Sequence, residues 1–345
     1  MNNTIKPTQS NTIFVSGATG LIGSHICVEL LGRGYKVRAH VRDEKRGKEL
    51  VKALSQHTRL ENIERQLETV ELDVLNDEQE WKRVIKGVQG IFHTAISFPD
   101  VTSANFVDDV MQSTVSILKA SKSTPTVKRV VITSSVSSLT PLFNNKDPGH
   151  VVKSDEWNDV DIENDTRREQ MDVEPRVKRS YRYSAAKTLA DKAALAYMKN
   201  EQPEFDLVMI LPSVCIGPAI KGLSMSTVDA FMQFLRPGSY TLRIAQQSIV
   251  DVRDCAYIHA EALAQAEWCG KRIIVSGETF TWRKMIKIIK DNFPDKIVAN
   301  FEDVDEEPRS DHQLQFDTTE ATSVLINQQW RSAETSVRDM ILNRN

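Results

Sequence analysis

Thr12–Ser16 (TIFVS) is a short run of mainly apolar and β-branched residues that leads without a spacer into Gly17-Ala18-Thr19-Gly20-Leu21-Ile22-Gly23. Ile22, Ile26 and Leu30 then recur at i, i+4 and i+8, the spacing of one helix face, and Gly34 supplies a stop. A strand, three glycines and a helix in this order read as the opening of a dinucleotide-binding βαβ unit. The glycines allow a tight turn, a close approach of backbone N–H groups to a pyrophosphate, and close packing of helix on strand. The helix then directs its positive N-terminus at the phosphates. Glycines alone carry little weight, because turns use them freely; their position between this strand and this helix carries the reading. Gly17, Thr19, Gly20, Leu21, Ile22 and Gly23 are therefore expected cofactor contacts.

Strand-like runs recur at Tyr35–Arg42, Thr69–Val74, Gly90–Ala95, Arg129–Ser134 and Leu207–Leu211, with helical stretches between most of them. Such alternation predicts an α/β fold: a Rossmann-type, doubly wound parallel sheet with ligand at the carboxyl ends of its strands. The 345 residues leave room for a second unit. Residues 11–216 are assigned to the dinucleotide-binding domain, with a polar insertion at about 144–180. Residues 217–345 are mainly a smaller substrate-binding lobe, from which 249–276 return to the first domain. That part is expected to hold helices at Cys255–Trp268 and Trp282–Phe293 and a strand at Arg272–Ser276.

Composition excludes several classes. At 40% hydrophobic residues the chain can bury a sizeable core. Lys and Arg number 44 against 47 Asp and Glu, a charge of −3, so a nucleic-acid partner held through its phosphates is not expected. Cysteines 27, 215, 255 and 269 lack metal-ligand spacing and read as reduced thiols of a cytoplasmic protein. No H-E-x-x-H occurs and the histidines are scattered, so no metal site is expected. The first ten residues are polar, a loose tail rather than a signal peptide, and no apolar run is long enough for a bilayer.

The end of the second strand bears on the cofactor. NAD sites usually carry a carboxylate there for the ribose hydroxyls. Here Arg42 is the first strong charge beyond the strand, suited to a 2′-phosphate, and Arg38 or Lys45 are candidate helpers. NADPH/NADP+ is expected rather than NADH; pairing of Asp43 with a sugar hydroxyl is the alternative. Asp73 and Val74, ending the third strand, are placed to border the adenine.

Tyr183-Ser184-Ala185-Ala186-Lys187 opens an alanine-rich helix, in which Tyr183 and Lys187 point the same way. A phenol of pKa about 10 is a sluggish acid or base at neutral pH, and a neighbouring ammonium is expected to lower that value. Of the six tyrosines only Tyr183 has Lys at i+4. Ser135, after the fifth strand, is positioned to donate to a carbonyl oxygen as charge develops on it. Ser134 beside it is read as a turn cap. Pro212 and Ser213, ending the sixth strand, would flank a nicotinamide.

VSGATGLIGSHI, YKVRAHVR, LDV, GIFHTA, KRVVITSS, YSAAK, LPSVCIGP and VDVRDCAYIHAEAL, in this order, resemble the extended, or atypical, branch of the short-chain dehydrogenase/reductase family. The likeness is to fungal NADPH-dependent aldehyde/ketone reductases and to dihydroflavonol and cinnamoyl-CoA reductases. It implies Ser135, Tyr183 and Lys187 as the catalytic triad, with Lys187 also holding the nicotinamide ribose. It further implies cofactor contacts at Gly17, Gly20, Gly23, Arg42 and Asp73, at Thr94 and Ala95 near the nicotinamide, and at Pro212 near the carboxamide. Ser116 stands where many relatives have an Asn of the proton relay. In the tail, Glu320 replaces a common Lys and Ile326-Asn327 a common Leu-Gly.

The expected activity is therefore NADPH-dependent reduction of an aldehyde or ketone, with an apolar or aromatic carbonyl compound as substrate and the protein a monomer or homodimer. Phe98, Phe231 and Phe234 are candidate pocket residues. The alternatives are an NAD-dependent nucleotide-sugar epimerase or dehydratase, and a non-catalytic NADP-sensing protein.

Overall fold

Thr12–Ser16 (β1) lies inside a seven-stranded sheet in the computed structural model, which describes residues 3–8, 10–58, 60, 63–72, 75–95, 103–141, 149–173, 175–223, 229, 247–295 and 315–343. The other strands are Lys36–Val41 (β2), Leu67–Glu71 (β3), Gly90–His93 (β4), Arg129–Thr133 (β5), Asp206–Pro212 (β7) and Arg272–Val275 (β10). Their order is β10-β7-β5-β4-β1-β2-β3, and every pairing is parallel. The order reverses at β1, flanked by β2 and β4, so the carboxyl ends of β1 and β4 border the crevice where such sheets bind ligands.

Side chains alternate across the sheet and divide the core into two layers. Val15, Phe92, Val131, Val208, Ile210 and Val275 join one apolar cluster. Phe14, Ile91, Val130, Leu207, Met209 and Ile274 join the other. Leu21–Gly32 (α1) and Val252–Glu261 (α7) pack together on the first face, through Ile26, Leu30, Cys255 and Ile258 among others. Glu78–Val84 (α3), Phe106–Lys122 (α4) and Pro175–Glu201 (α6) contribute Trp81, Ile117, Leu118 and Ala194 to the second. Glu44–Thr58 (α2) lies over β2 and β3.

Beyond the main sheet, Val214–Ile216 (β8), Gln247–Asp251 (β9) and Glu278–Phe280 (β11) form a three-stranded sheet, and Val151–Val152 (β6) pairs with Gln315–Phe316 (β12). Trp282–Asn292 (α8), Thr319–Val324 (α9) and Ala333–Leu342 (α10) complete the carboxyl-terminal part. Asn327 adopts φ 55°, the left-handed conformation that Gly or Asn tolerates.

At four places the structure changes or adds to the reading of the sequence. Residues near the amino terminus are tied down rather than loose: Ile5 is buried, its N–H donates to the Leu263 carbonyl at 2.8 Å, and Tyr35 Oη donates to the Ile5 carbonyl at 2.8 Å. The polar insertion contains a helix, Asp159–Arg167 (α5), whose Asn158 cap accepts from the Asp161 N–H at 3.1 Å. α6 begins at Pro175, a residue suited to a helix start, so Tyr183 sits within the helix instead of opening it. The helix expected at Cys255–Trp268 ends at Glu261, with a separate turn at Ala266–Trp268.

Among the described residues no helix is long and apolar enough to cross a membrane, and no group of three or more His, Cys, Asp or Glu is placed to hold a metal.

Candidate active site

The glycine loop leaves β1 at the reversal point of the sheet. Gly17 has φ 66°, and a Cβ there would lie 2.8 Å from Thr94 Oγ1. A Cβ on Gly23 would lie 2.2 Å from the Gly17 carbonyl oxygen, so the loop closes on α1 with no room for a side chain. Gly20 caps α1 without a side-chain hydrogen bond. Among the described residues no side chain accepts from the N–H groups of the first turn, as an anion-binding helix start requires. Thr19 is partly buried beside this turn, Leu21 enters the core, and Ile22 packs against it. These features fit a dinucleotide pyrophosphate held by Gly17, Gly20 and the start of α1.

Ser16, Thr94 and His93 brace the loop from below. Ser16 Oγ accepts from the N–H groups of Thr94 and Ala95, each at 3.0 Å. Its own hydrogen then goes to His93 Nδ1 at 3.1 Å, which leaves His93 Nε2 to donate toward Ser113 Oγ at 3.4 Å. Thr94 Oγ1 donates to the Ser16 carbonyl, so its hydroxyl locks β4 to β1. Burial, with smaller effects of Lys187 and His40, lowers the His93 pKa to about 3 and keeps the ring neutral.

At the end of β2, Arg42 is exposed and makes no hydrogen bond or ion pair among the described residues. Arg38 is not available as its helper: it donates to the Val84 and Lys86 carbonyls at 2.9 and 2.8 Å and pairs with Glu68. Asp43 accepts from the Arg46 N–H at 2.8 Å and pairs with that side chain, so its carboxylate is used at the start of α2. Lys45 is exposed. Asp73 and Val74 lie outside the described residues, as do Phe98, Phe231 and Phe234. On the other side of the crevice Pro212 ends β7 and pairs with Val275, while Ser213 donates its N–H to the Val275 carbonyl at 2.9 Å. The Ser213 hydroxyl is buried with no hydrogen-bond partner among the described residues, a donor that fits a ligand group.

Ser135, Tyr183 and Lys187 meet at the carboxyl end of β5. Ser135 Oγ accepts from the Ser137 N–H at 3.2 Å and is hydrogen-bonded to the Tyr183 hydroxyl. Tyr183 packs against Phe106, Val110, Ala186 and Ala190. Lys187 is buried and its Nζ donates to the Thr133 carbonyl at 2.8 Å. It shares with Ala95, Ser113 and Asp191 a small cavity of about 10 Å³, room for about one water.

The electrostatics differ from expectation in one respect. Among the protein's own groups the Tyr183 phenol is pushed up to about 12, not down: burial dominates, the Ser135 hydrogen bond opposes it, and Cys215 and Asp191 add to the rise. Lys187 is itself pulled down to about 8 by burial, with Asp191 holding it up. The expected lowering of the phenol by Lys187 is not found: desolvation sets the direction of the shift, and the one opposing influence is the Ser135 hydrogen bond.

Sequence reasoning missed Asp191 and Arg272. Asp191 follows Lys187 by one helical turn, and Arg272 is a charge inside the apolar run RIIV; both are local signals that were open to notice. Ser116 does not line the Lys187 cavity. Its Oγ donates to the Asn76 carbonyl at 3.0 Å, and the α4 hydroxyls lining the Lys187 cavity are Ser113 and Thr114.

The family model described as NAD dependent epimerase/dehydratase family matches residues 13–277. Ketoreductase azaE of Aspergillus niger is 30% identical over 82% of this chain and 82% of its own length. Aldehyde reductase 2 of Sporidiobolus salmonicolor is 28% identical over 99% of this chain and 98% of its own. The structure of Gre2 from Candida albicans in complex with NADPH covers 96% of this chain and 98% of its own, with a TM-score of 0.77 and 24% identity, a likeness of fold. With the glycine loop at the reversal point of a parallel sheet and the family match running through it, the chain belongs to the NAD dependent epimerase/dehydratase family.

Proposed function

We propose that this protein is an NADPH-dependent carbonyl reductase that converts an aldehyde or ketone to an alcohol. The observation that carries the proposal is the meeting of Ser135, Tyr183 and Lys187 at the sheet's carboxyl edge, beside the glycine loop. When bound, the nicotinamide supplies the hydride. Gly17, Gly20 and the first turn of α1 would hold the pyrophosphate, Arg42 would take the 2′-phosphate, and Ser213 would offer its hydroxyl to the nicotinamide side. The ketoreductase and aldehyde reductase relatives, and the NADPH complex of Gre2, support this cofactor and this chemistry.

Ser135 donates a hydrogen bond to the substrate oxygen and orients it. Tyr183 gives its hydroxyl proton to that oxygen as the negative charge develops. A phenol raised to about 12 keeps its proton at neutral pH, the form a reductase needs. Lys187, anchored on Thr133, supplies positive charge as the phenolate forms.

Consumption of NADPH and of NADH, followed with aldehydes, diketones and aryl ketones, tests the proposal. Net oxidation of NADPH with matching alcohol product is expected. A protein that isomerises a nucleotide sugar with no net cofactor consumption is an epimerase instead.

A further inference from the structure

A buried charge cluster lies next to Lys187. Asp191, one helical turn further along α6, is 1% exposed. Its carboxylate accepts from Ser134 Oγ at 2.6 Å and from Ser138 Oγ at 2.9 Å, residues on either side of Ser135. Arg272 Nη2, reaching in from the edge strand β10, is 3.4 Å away. Arg272 also donates to Ser138 Oγ at 2.8 Å and to the carbonyls of Ser154 and Glu156 at 3.0 and 2.7 Å. Its guanidinium sits 3.7 Å from the centre of the Trp157 ring. A carboxylate this deeply buried stays ionised only among donors and cations.

We propose that Asp191 is a positioning residue of the active site: it holds the Ser134–Ser138 turn, and with it Ser135, and it sustains the positive charge of Lys187, while Arg272 limits that effect and clips the 154–157 segment to the same cluster. The inference rests on the reading of Ser135, Tyr183 and Lys187 as the reacting group.

Among the described residues, the titratable and charged groups around Lys187 and Tyr183 are Asp191 on α6, His93 on β4, Cys215 on β8, Arg272 on β10, and His259 on α7, which meets Thr133 Oγ1 at 2.9 Å. His93 and His259 are neutral, lowered by burial to about 3 and about 4, and Tyr183 is uncharged. Asp191 is therefore the charged group that holds the Lys187 ammonium up against burial, and Arg272 acts on it through Asp191. Asp191 is raised by burial, against Arg272, its two serine donors and Lys187.

Two substitutions then act with opposite sign. Asp191→Asn removes the anion, and the Lys187 midpoint moves down by about one pH unit or more. Arg272→Met removes the competing cation, and the midpoint moves up. Two readouts report it: nitrogen NMR of Lys187 Nζ across a pH titration, independent of turnover, and the alkaline limb of kcat with NADPH and a carbonyl substrate. For Asp191→Asn, turnover at pH 8 falls more than at pH 6. Should one variant not fold, the other still carries its own sign. An unmoved Lys187 midpoint in a folded variant, or a loss of turnover equal at every pH, overturns the proposal and leaves Asp191 a merely structural residue. If the wild-type protein consumes no NADPH with any carbonyl, the catalytic reading fails, and the NMR midpoints alone still decide the charge coupling.

Discussion

Lys187 Nζ donates to the carbonyl oxygen of Thr133 at 2.8 Å, which fastens the middle of α6 to the last residue of β5. The strand runs directly on into Ser134 and Ser135, so this bond fixes the helix that carries Tyr183 against the turn that carries Ser135. The hydrogen bond between those two hydroxyls closes the arrangement.

Turnover should fall on the alkaline side with a midpoint near 8. Lys187 is pulled from 10.5 to about 8, so its ammonium is intact below that pH and lost above it. Tyr183, at about 12, does not titrate in this window. A pH profile of kcat at saturating cofactor checks this, with roughly tenfold loss for each unit above the midpoint. A profile flat to pH 10 would separate Lys187 from the rate.

Gly23→Ala should disable the cofactor site. The new Cβ would stand 2.2 Å from the Gly17 carbonyl oxygen, so backbone must shift, at a cost of about 1–3 kcal/mol. Thermal unfolding and fluorescence titration with NADPH report the two effects. Cofactor affinity should drop at least about tenfold, which is ~1.4 kcal/mol.

Arg42→Gln should weaken NADPH by about tenfold or more, the loss of one charge-assisted contact, and leave NADH almost unaffected. The ratio of kcat/KM for the two cofactors is the measurement. Equal losses for both would point to a general effect on the crevice.

Acid should destabilise the fold through histidines buried neutral. Burial lowers His25 to about 4, His93 to about 3 and His259 to about 4, all below the unfolded value of 6.5. As pH falls below 6.5 the unfolded chain takes up protons that the folded one refuses, so stability is lost, on the order of 2 kcal/mol for each ring at pH 5. Urea unfolding midpoints at pH 7 and pH 5 measure the difference. Replacing His93 by Gln should remove part of it.

The sequence made the cofactor loop and the Tyr183–Lys187 pair legible because both are local: the first is adjacent along the chain, the second lies one helical turn apart. Ser135 could be read from its place at the end of the fifth strand, but its link to Tyr183, which joins the β5 end to α6, could not. Less could be read where contacts join distant segments. Asp191, Ser138, Arg272 and Trp157 come from four separate stretches of the chain and meet only in the folded protein. The direction of the Tyr183 shift escapes the sequence because neighbour charge can be read from spacing, whereas desolvation depends on tertiary burial. Likeness to relatives points to Ser116, but its rotation on α4 turns it to Asn76. Arg38 stands near the right strand end in sequence and is spent on the carbonyls of Val84, which ends α3, and of Lys86 just beyond it.

Tyr183→Phe is the most direct test of the central claim. The substitution removes one hydroxyl and leaves the ring among Phe106, Val110 and Ala190. Its carbonyl-dependent NADPH oxidation should fall by about 10²–10⁴-fold while NADPH affinity stays within about twofold. A Tyr183→Phe variant that turns over as fast as the wild type would show that the proton comes from elsewhere.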